Sequence, residues 1–167
     1  LTHVIEPFTY LLQNQQQHLE LEIAADLPPL TTDLSYLQRI LAELLTNASK
    51  YTPTGERIIV AASLETVDGS LAGNHSDPAS TTDSAIQPCL LLRITNTGVE
   101  IPSQELTRIF DKFYRIPSHD PWKHGGTGLG LALVRKLSER IGARIWVESS
   151  AGQVTFTLQL PLFDEKG

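Results

Sequence analysis

The sequence predicts an α/β fold, a two-layer sandwich in which helices pack on one face of a mixed, mostly antiparallel sheet. The periodicity predicts a helix, a strand and a helix, followed by strands, a loop, a helix and a terminal hairpin. A chain of 167 residues with 41% hydrophobic and 19% charged residues is also typical of a globular domain. We therefore expect a single domain over residues 1–167.

Three segments have apolar residues spaced as in an amphipathic helix. The first covers residues 4–18, where a run of glutamines lies at its end. The second begins after Asp33, whose side chain suits a helix N-cap, and it ends just before Pro53, because proline disfavours a helical conformation in the preceding residue. The third covers residues 129–141 and is expected to end at Gly142.

Alternating or continuous apolar runs predict five strands. The run that begins at Cys89 is almost wholly apolar, which favours a central, buried strand. The last two runs flank a turn at Ala151 and Gly152, so we expect a hairpin. Residues 66–88 are rich in small polar residues and are expected to form a flexible hairpin insertion. The predicted strands cover residues 19–23, 57–64, 89–95, 144–148 and 154–160.

Composition excludes several classes of protein. The net charge of −6, without a basic cluster, argues against nucleic acid as a partner. The single cysteine, Cys89, excludes an internal disulfide and suits a reducing cytoplasm. No apolar run has the length of a membrane span, so we expect a cytoplasmic protein. The chain has no methionine and begins at Leu1, which indicates a piece of a longer polypeptide that other segments could attach to a membrane.

A glycine-rich segment at residues 125–130 has four glycines in six positions, directly before the third predicted helix. Glycine lets a backbone approach a ligand closely. The unpaired N–H groups and the positive dipole end of the following helix favour an anion such as phosphate. A flexible loop ahead of a core helix would explain the same residues, so this segment alone leaves both interpretations open.

Three polar residues, Glu43, Asn47 and Lys50, are spaced to lie on one face of the second predicted helix. An asparagine oxygen is a suitable ligand for Mg²⁺, which binds few protein groups together with substrate phosphates. Lys50 would meet a phosphate oxygen, and Glu43 could orient or deprotonate a water or hydroxyl. The spacing by itself also fits an ordinary solvated helix face.

In combination, these segments resemble the ATP-binding catalytic domain of sensor histidine kinases, in the wider family that includes gyrase, Hsp90 and MutL. Residues 43–53 resemble the asparagine box of these kinases, and residues 96–102 resemble the first glycine box. Residues 109–115 resemble the phenylalanine box, and residues 126–131 match the second glycine box. The resemblance implies a Bergerat-type ATP-binding fold, with ATP and Mg²⁺ as cofactors.

The resemblance also implies roles for individual residues. Asn47 would hold Mg²⁺, and Lys50 and Arg115 would contact phosphates. Glu43 would act in catalysis together with these two cationic side chains. Residues 103–127 would form a lid over the nucleotide. The further nucleotide contacts implied by the motifs are Tyr51, Asn96, Gly98, Ile101, Lys123, Gly126, Thr127, Gly128, Leu129 and Gly130.

Two positions depart from the family's pattern, and a third has two possible roles. Asn96 stands where aspartate usually accepts a hydrogen bond from the exocyclic amine of adenine. Asparagine keeps one acceptor, so we expect adenine binding that is retained but weaker. Glu100 replaces the second glycine of that box, so either its side chain is directed away from the nucleotide or the affinity falls. Glu43 is either the base that activates an acceptor histidine or a group that tunes Mg²⁺ and its waters.

We therefore expect the catalytic, ATP-binding domain of a two-component sensor histidine kinase. It would pass the γ-phosphate of Mg·ATP to a histidine on a separate dimerisation domain of the same polypeptide. A response regulator is the second expected partner, and the full-length protein is expected to be a homodimer. Residues 116–123 are similar to those of cyanobacterial sensor kinases.

Two alternatives stay open at this point. One is a stand-alone ATPase or switch of the gyrase and Hsp90 type, and the other is a non-catalytic ATP-binding interaction module. Among the remaining residues, Phe110 and Phe113 belong either to a core that anchors the lid or to a docking surface, and we favour the core. His119 and His124 are not expected to form a metal site, because no third strong ligand is fixed beside them.

Overall fold

The computed structural model describes residues 2–68, 86–117 and 126–162, which form three helices and five strands. Helices and strands alternate in the order that the sequence predicts, and the two-layer α/β fold is confirmed. The elements are α1 (Thr2–Asn14), β1 (His18–Ile23), α2 (Leu34–Tyr51), β2 (Arg57–Asp68), β3 (Ile86–Thr97), α3 (Gly130–Arg140), β4 (Arg144–Ser150) and β5 (Gln153–Pro161).

The sheet has the strand order β1-β2-β3-β5-β4, with β1 parallel to β2 and every other pair antiparallel. β3 lies at its centre, as its apolar sequence predicts. Within β3, Ile94 pairs with Val60 on one side and with Phe156 on the other, and all three are buried on one sheet face. Asn96 continues the same alternation two residues later, so it lies on the same face.

The core lies between this sheet face and the helices. α2 buries its apolar stripe there, including Ile40, Leu44 and Leu45, and packs against both α3 and β3. The predicted cap is also observed, because the Tyr36 amide donates a 3.1 Å hydrogen bond to Asp33 Oδ1. α2 is thus anchored at its N-terminus and along one face.

The first helix ends earlier than predicted, at Asn14 instead of residue 18. Gln16 has a φ of +55°, which a helix does not allow. Gln17 is buried, and its Nε2 donates hydrogen bonds to the carbonyls of Ser49 at 2.8 Å and Thr52 at 2.5 Å. The glutamine run is therefore a turn that satisfies carbonyl groups at the C-terminus of α2.

The β2–β3 hairpin extends into the segment predicted to be an insertion. Asp68 pairs with Ile86 at the end of the ladder, and residues 69–85 lie outside the described part of the chain. Cys89 is buried within the hairpin, and this burial raises the pKa of its thiol. None of the described helices combines the length and the hydrophobicity needed to cross a membrane.

The packing of α2 can be tested by truncating its two faces. Replacing Ile40, which is 0% exposed, by alanine should lower the free energy of unfolding by about 2–5 kcal/mol. Replacing Ser35, which is exposed on the other side of the same helix, by alanine should change it by less than about 0.5 kcal/mol. Chemical denaturation measures both changes, and equal losses would contradict the orientation of the helix.

Candidate functional site

A cavity of about 540 Å³ lies between α2, α3, the sheet and the segment that follows β3. Its volume is in the range of sites for small molecules and cofactors. Most of the site residues predicted from the sequence line it. These are Glu43, Asn47, Lys50, Tyr51, Asn96, Ile101, Arg115, Gly126, Thr127, Gly128 and Gly130.

Three predicted site residues are not brought to the cavity by the described structure. Gly98 has a φ of +72° and lies against Glu56, whose Cγ would be 2.6 Å from a Cβ at this position. Leu129 is exposed as the N-cap residue of α3. Lys123 lies in the segment 118–125, which is outside the described residues. Gly98 therefore has a packing reason of its own for being glycine.

The polar face of α2 forms one wall of the cavity. Glu43, Asn47 and Lys50 are half-buried there at successive turns of the helix. Glu43 Oε1 is 2.5 Å from Arg39 Nη2 in an i,i+4 ion pair, and Lys50 Nζ is 5.0 Å from the centre of the Tyr51 ring. The wall thus presents a carboxylate, an amide oxygen and an ammonium in a row.

Two glycines of the loop before α3 let it approach this wall closely. A Cβ on Gly126 would be 2.9 Å from Lys50 Nζ, and a Cβ on Gly130 would be 2.9 Å from Glu43 Oε2. A larger residue at either position would displace the charged group. The glycines therefore preserve the positions of Lys50 and Glu43.

Gly128 joins the loop to the segment that follows β3. Its φ is +71°, and a Cβ would be 2.7 Å from the carbonyl carbon of Phe113 and 2.9 Å from the backbone carbonyl oxygen of Tyr114. The Phe113 amide donates a 2.9 Å hydrogen bond to the Gly128 carbonyl. A side chain at position 128 would therefore be both strained and in collision with backbone.

The start of α3 opens onto the cavity. The helix begins at Gly130, and the N-cap residue Leu129 provides no side-chain hydrogen bond to its first turn. Gly130 and Leu131 both line the cavity. Together with Lys50 and Arg115, the first-turn amides make this end of the cavity suited to an anion with several oxygens.

The other end of the cavity is apolar. Its floor comes from β5, where Phe156 also meets Phe110 edge-to-face with ring centroids 6.2 Å apart. Asn96, which is 3% exposed, is a polar group at this end. Apolar residues in a sequence usually indicate the core, which is why most of this wall was not predicted. The lining residues missed are Thr46, Val99, Ile109, Tyr114, Ile116, Leu131, Val154 and Phe156.

The side chain of Glu100 is hydrogen-bonded to the turn between β4 and β5. Glu100 Oε1 accepts a 2.6 Å hydrogen bond from the amide of Gly152, in the turn between β4 and β5. The neighbouring Val99 amide donates to the Gly152 carbonyl at 3.3 Å. The carboxylate is therefore held at the rim of the cavity by a backbone donor, and its negative charge is partly compensated.

The prediction that both phenylalanines lie in the core is wrong for one of them. Phe110 is half-buried and packs on the core, whereas Phe113 is 72% exposed. The backbone explains the difference, since Phe113 has a φ of +64° and its amide is bonded to Gly128. Next to it, the Tyr114 hydroxyl donates to the Glu105 carboxylate.

The donor groups of the cavity do not form a metal site by themselves. In the described part of the chain, no group of three or more His, Cys, Asp or Glu side chains could hold a metal ion. His119 and His124 lie outside the described residues. Asn47 and Glu43 nevertheless provide oxygen donors in the cavity, which fits Mg²⁺ if a bound phosphate supplies the other ligands.

Comparison with known proteins gives the family. A model described as "Histidine kinase-, DNA gyrase B-, and HSP90-like ATPase" matches residues 32–164. The chain belongs to this family. Sensor histidine kinase RcsC of Escherichia coli is 30% identical over 165 residues, which are 98% of this chain and 15% of RcsC. The adaptive-response sensory kinase SasA of Synechococcus elongatus is 32% identical over 164 residues, which are 98% of this chain and 37% of SasA.

Solved structures show the same fold. The catalytic domain of histidine kinase ThkA, without nucleotide, has a TM-score of 0.70 at 21% identity, over 96% of this chain and 88% of that chain. ThkA in complex with the response regulator protein TrrA has a TM-score of 0.69 at 20% identity, over 99% of this chain and 40% of that chain. The chain is thus a domain of this ATPase family that is similar over nearly its whole length to sensor histidine kinases, and it spans well under half the length of RcsC or SasA.

The contact of Gly128 with Phe113 predicts a specific effect on nucleotide affinity. Gly128→Ala should weaken ATP binding at least about tenfold, because the new Cβ pushes the Phe113 backbone away from the loop. Gly142→Ala is the matched control, since Gly142 has a φ of +66° with nothing within 4 Å of a Cβ. Calorimetric titration measures both affinities, and an equal loss in the two variants would contradict this role of Gly128.

Proposed function

We propose that the cavity binds Mg·ATP and presents its γ-phosphate to a histidine on a dimerisation domain of the same polypeptide. One observation carries the proposal, namely that Lys50, Arg115 and the start of α3 line the same cavity as the buried Asn96 and the apolar residues of β5. The triphosphate would lie against Lys50, Arg115 and the start of α3. The purine would lie against the apolar end, where Asn96 addresses its polar edge.

Mg²⁺ fits the polar wall of α2. Asn47 would hold the ion through its amide oxygen, between Glu43 one turn before and Lys50 one turn after. An ion held there would supply positive charge against the negative charge that develops on the phosphate oxygens. Lys50 and Arg115 would orient the triphosphate from its two sides. Phosphoryl transfer needs little more from a protein than this positioning and charge neutralisation.

In the reaction, a ring nitrogen of the acceptor histidine attacks the γ-phosphorus, the bond to the bridging oxygen breaks, and ADP leaves. Residues 103–127 would act as the lid, tied to the glycine loop through the Phe113–Gly128 hydrogen bond. The complex of ThkA with a response regulator supports a regulator as the next phosphate acceptor. We propose that the full-length kinase is a homodimer and that this domain lies in the cytoplasm. Other segments of the polypeptide could attach it to a membrane.

If Asn47 holds Mg²⁺, replacing it should abolish the dependence of ATP affinity on Mg²⁺. Asn47→Ala should weaken Mg·ATP binding at least about tenfold, because one direct oxygen ligand is lost. Asn14→Ala removes the same amide from the exposed end of α1 and should leave the affinity unchanged. Calorimetric titration with and without Mg²⁺ measures both. Unchanged, magnesium-dependent binding by folded Asn47→Ala would refute the assignment.

The contacts of Glu43 favour the magnesium role over the base role. Oε1 is engaged by Arg39, and Oε2 lies beside Gly130 at the start of α3, where the phosphates would be. Glu43→Gln should therefore raise the Mg²⁺ concentration required for binding by about five- to tenfold. At saturating Mg²⁺, phosphotransfer to a supplied acceptor domain should stay within about tenfold of wild type.

Phosphohistidine formation measured across a Mg²⁺ series separates the two roles. A loss of about 100-fold or more at saturating Mg²⁺, with an unchanged magnesium requirement, would identify Glu43 as the base instead. Gln38→Ala, which alters an exposed residue elsewhere on α2, is the control for nonspecific damage to the helix.

A further inference from the structure

Asn96 is a buried polar residue that lines the cavity. Asn96 belongs to the face of β3 that packs toward the helices, and it is 3% exposed. The residues directly across from it on the neighbouring strands are Ile58 and Val154, and both are buried hydrocarbon side chains. Neither can hydrogen-bond the amide, and because Asn96 also lines the cavity, a bound ligand can reach it.

An amide differs from a carboxylate in how it meets a purine. It carries an acceptor oxygen and a donor NH₂, and a half-turn about its terminal bond exchanges the two. The oxygen can accept from a 6-amino group, and after the exchange the NH₂ can donate to a 6-oxo group. A carboxylate offers acceptors alone, so a 6-oxo group would face it with lone pair against lone pair.

Among the residues that the structure describes, the neighbours of Asn96 in the cavity are mostly apolar. The walls near Asn96 include Ile101, Val154 and Phe156, which contact a ring through apolar surface. Such contacts hold the ring but distinguish poorly between isosteric bases. Selection at the 6-position therefore depends on the polar group that faces it.

We propose that this chain accepts 6-oxopurine nucleoside triphosphates as well as ATP, and that Asn96 determines this tolerance. The inference rests on the proposed binding of a nucleotide in the cavity. It goes beyond the proposed binding of ATP, because a carboxylate at position 96 would also allow ATP to bind but would repel the 6-oxo group.

Wild-type protein tests the proposal directly. ITP differs from ATP by its 6-oxo group and the proton on the neighbouring ring nitrogen, so we expect the Kd values of Mg·ITP and Mg·ATP to agree within about tenfold. GTP adds a 2-amino group and reports whether the cavity has room for it. An ITP affinity more than about 100-fold below that of ATP would overturn the proposal.

Asn96→Asp tests the residue itself. It should tighten Mg·ATP, because a carboxylate accepts more strongly from the 6-amino group, and should weaken Mg·ITP by at least about 30-fold relative to ATP. Asn14→Asp, the same change on the exposed end of α1, should alter neither. An unchanged ATP to ITP ratio in folded Asn96→Asp would overturn the role of Asn96. Failure of wild type to bind any triphosphate would instead contradict the proposed function.

Discussion

The burial of one face of α2 determines the position of the other. Ile40, Leu44 and Leu45 are enclosed by the sheet and α3, and close packing leaves the helix little freedom to rotate. Because successive residues turn by a fixed angle, the opposite face must present Asn47 and Lys50 to the cavity. Packing of the core therefore also determines the direction of the polar face of α2. Each end of this helix is held by a hydrogen-bonded cap.

The glycine loop is the second constraint, and it depends on the first. Gly126 and Gly130 leave room for Lys50 and Glu43 on α2, and Gly128 leaves room for the Phe113 backbone. Each glycine thus meets a different part of the protein, in addition to any contact with a ligand. Of the three, Gly128 is the most constrained, because its neighbours are backbone atoms, whereas Lys50 and Glu43 are flexible side chains.

Much of the fold could be predicted from local patterns. The N-cap at Asp33, the end of α2 before Pro53, the terminal hairpin and the central strand are all observed, because they depend on residues close in sequence. The first helix ended early, since Gln17 caps α2 across more than thirty residues of chain and no local pattern reports such a contact.

For the site, the sequence alone determined the residue types, their order and the polar face of α2, because a repeating helix converts spacing into direction. The tertiary structure alone decided how these residues meet. It exposed Phe113 through a left-handed backbone, held Glu100 on Gly152, and placed apolar strand residues at the cavity instead of wholly in the core. The physical reason is that such contacts depend on which surfaces are close in space, and periodicity carries no information about that.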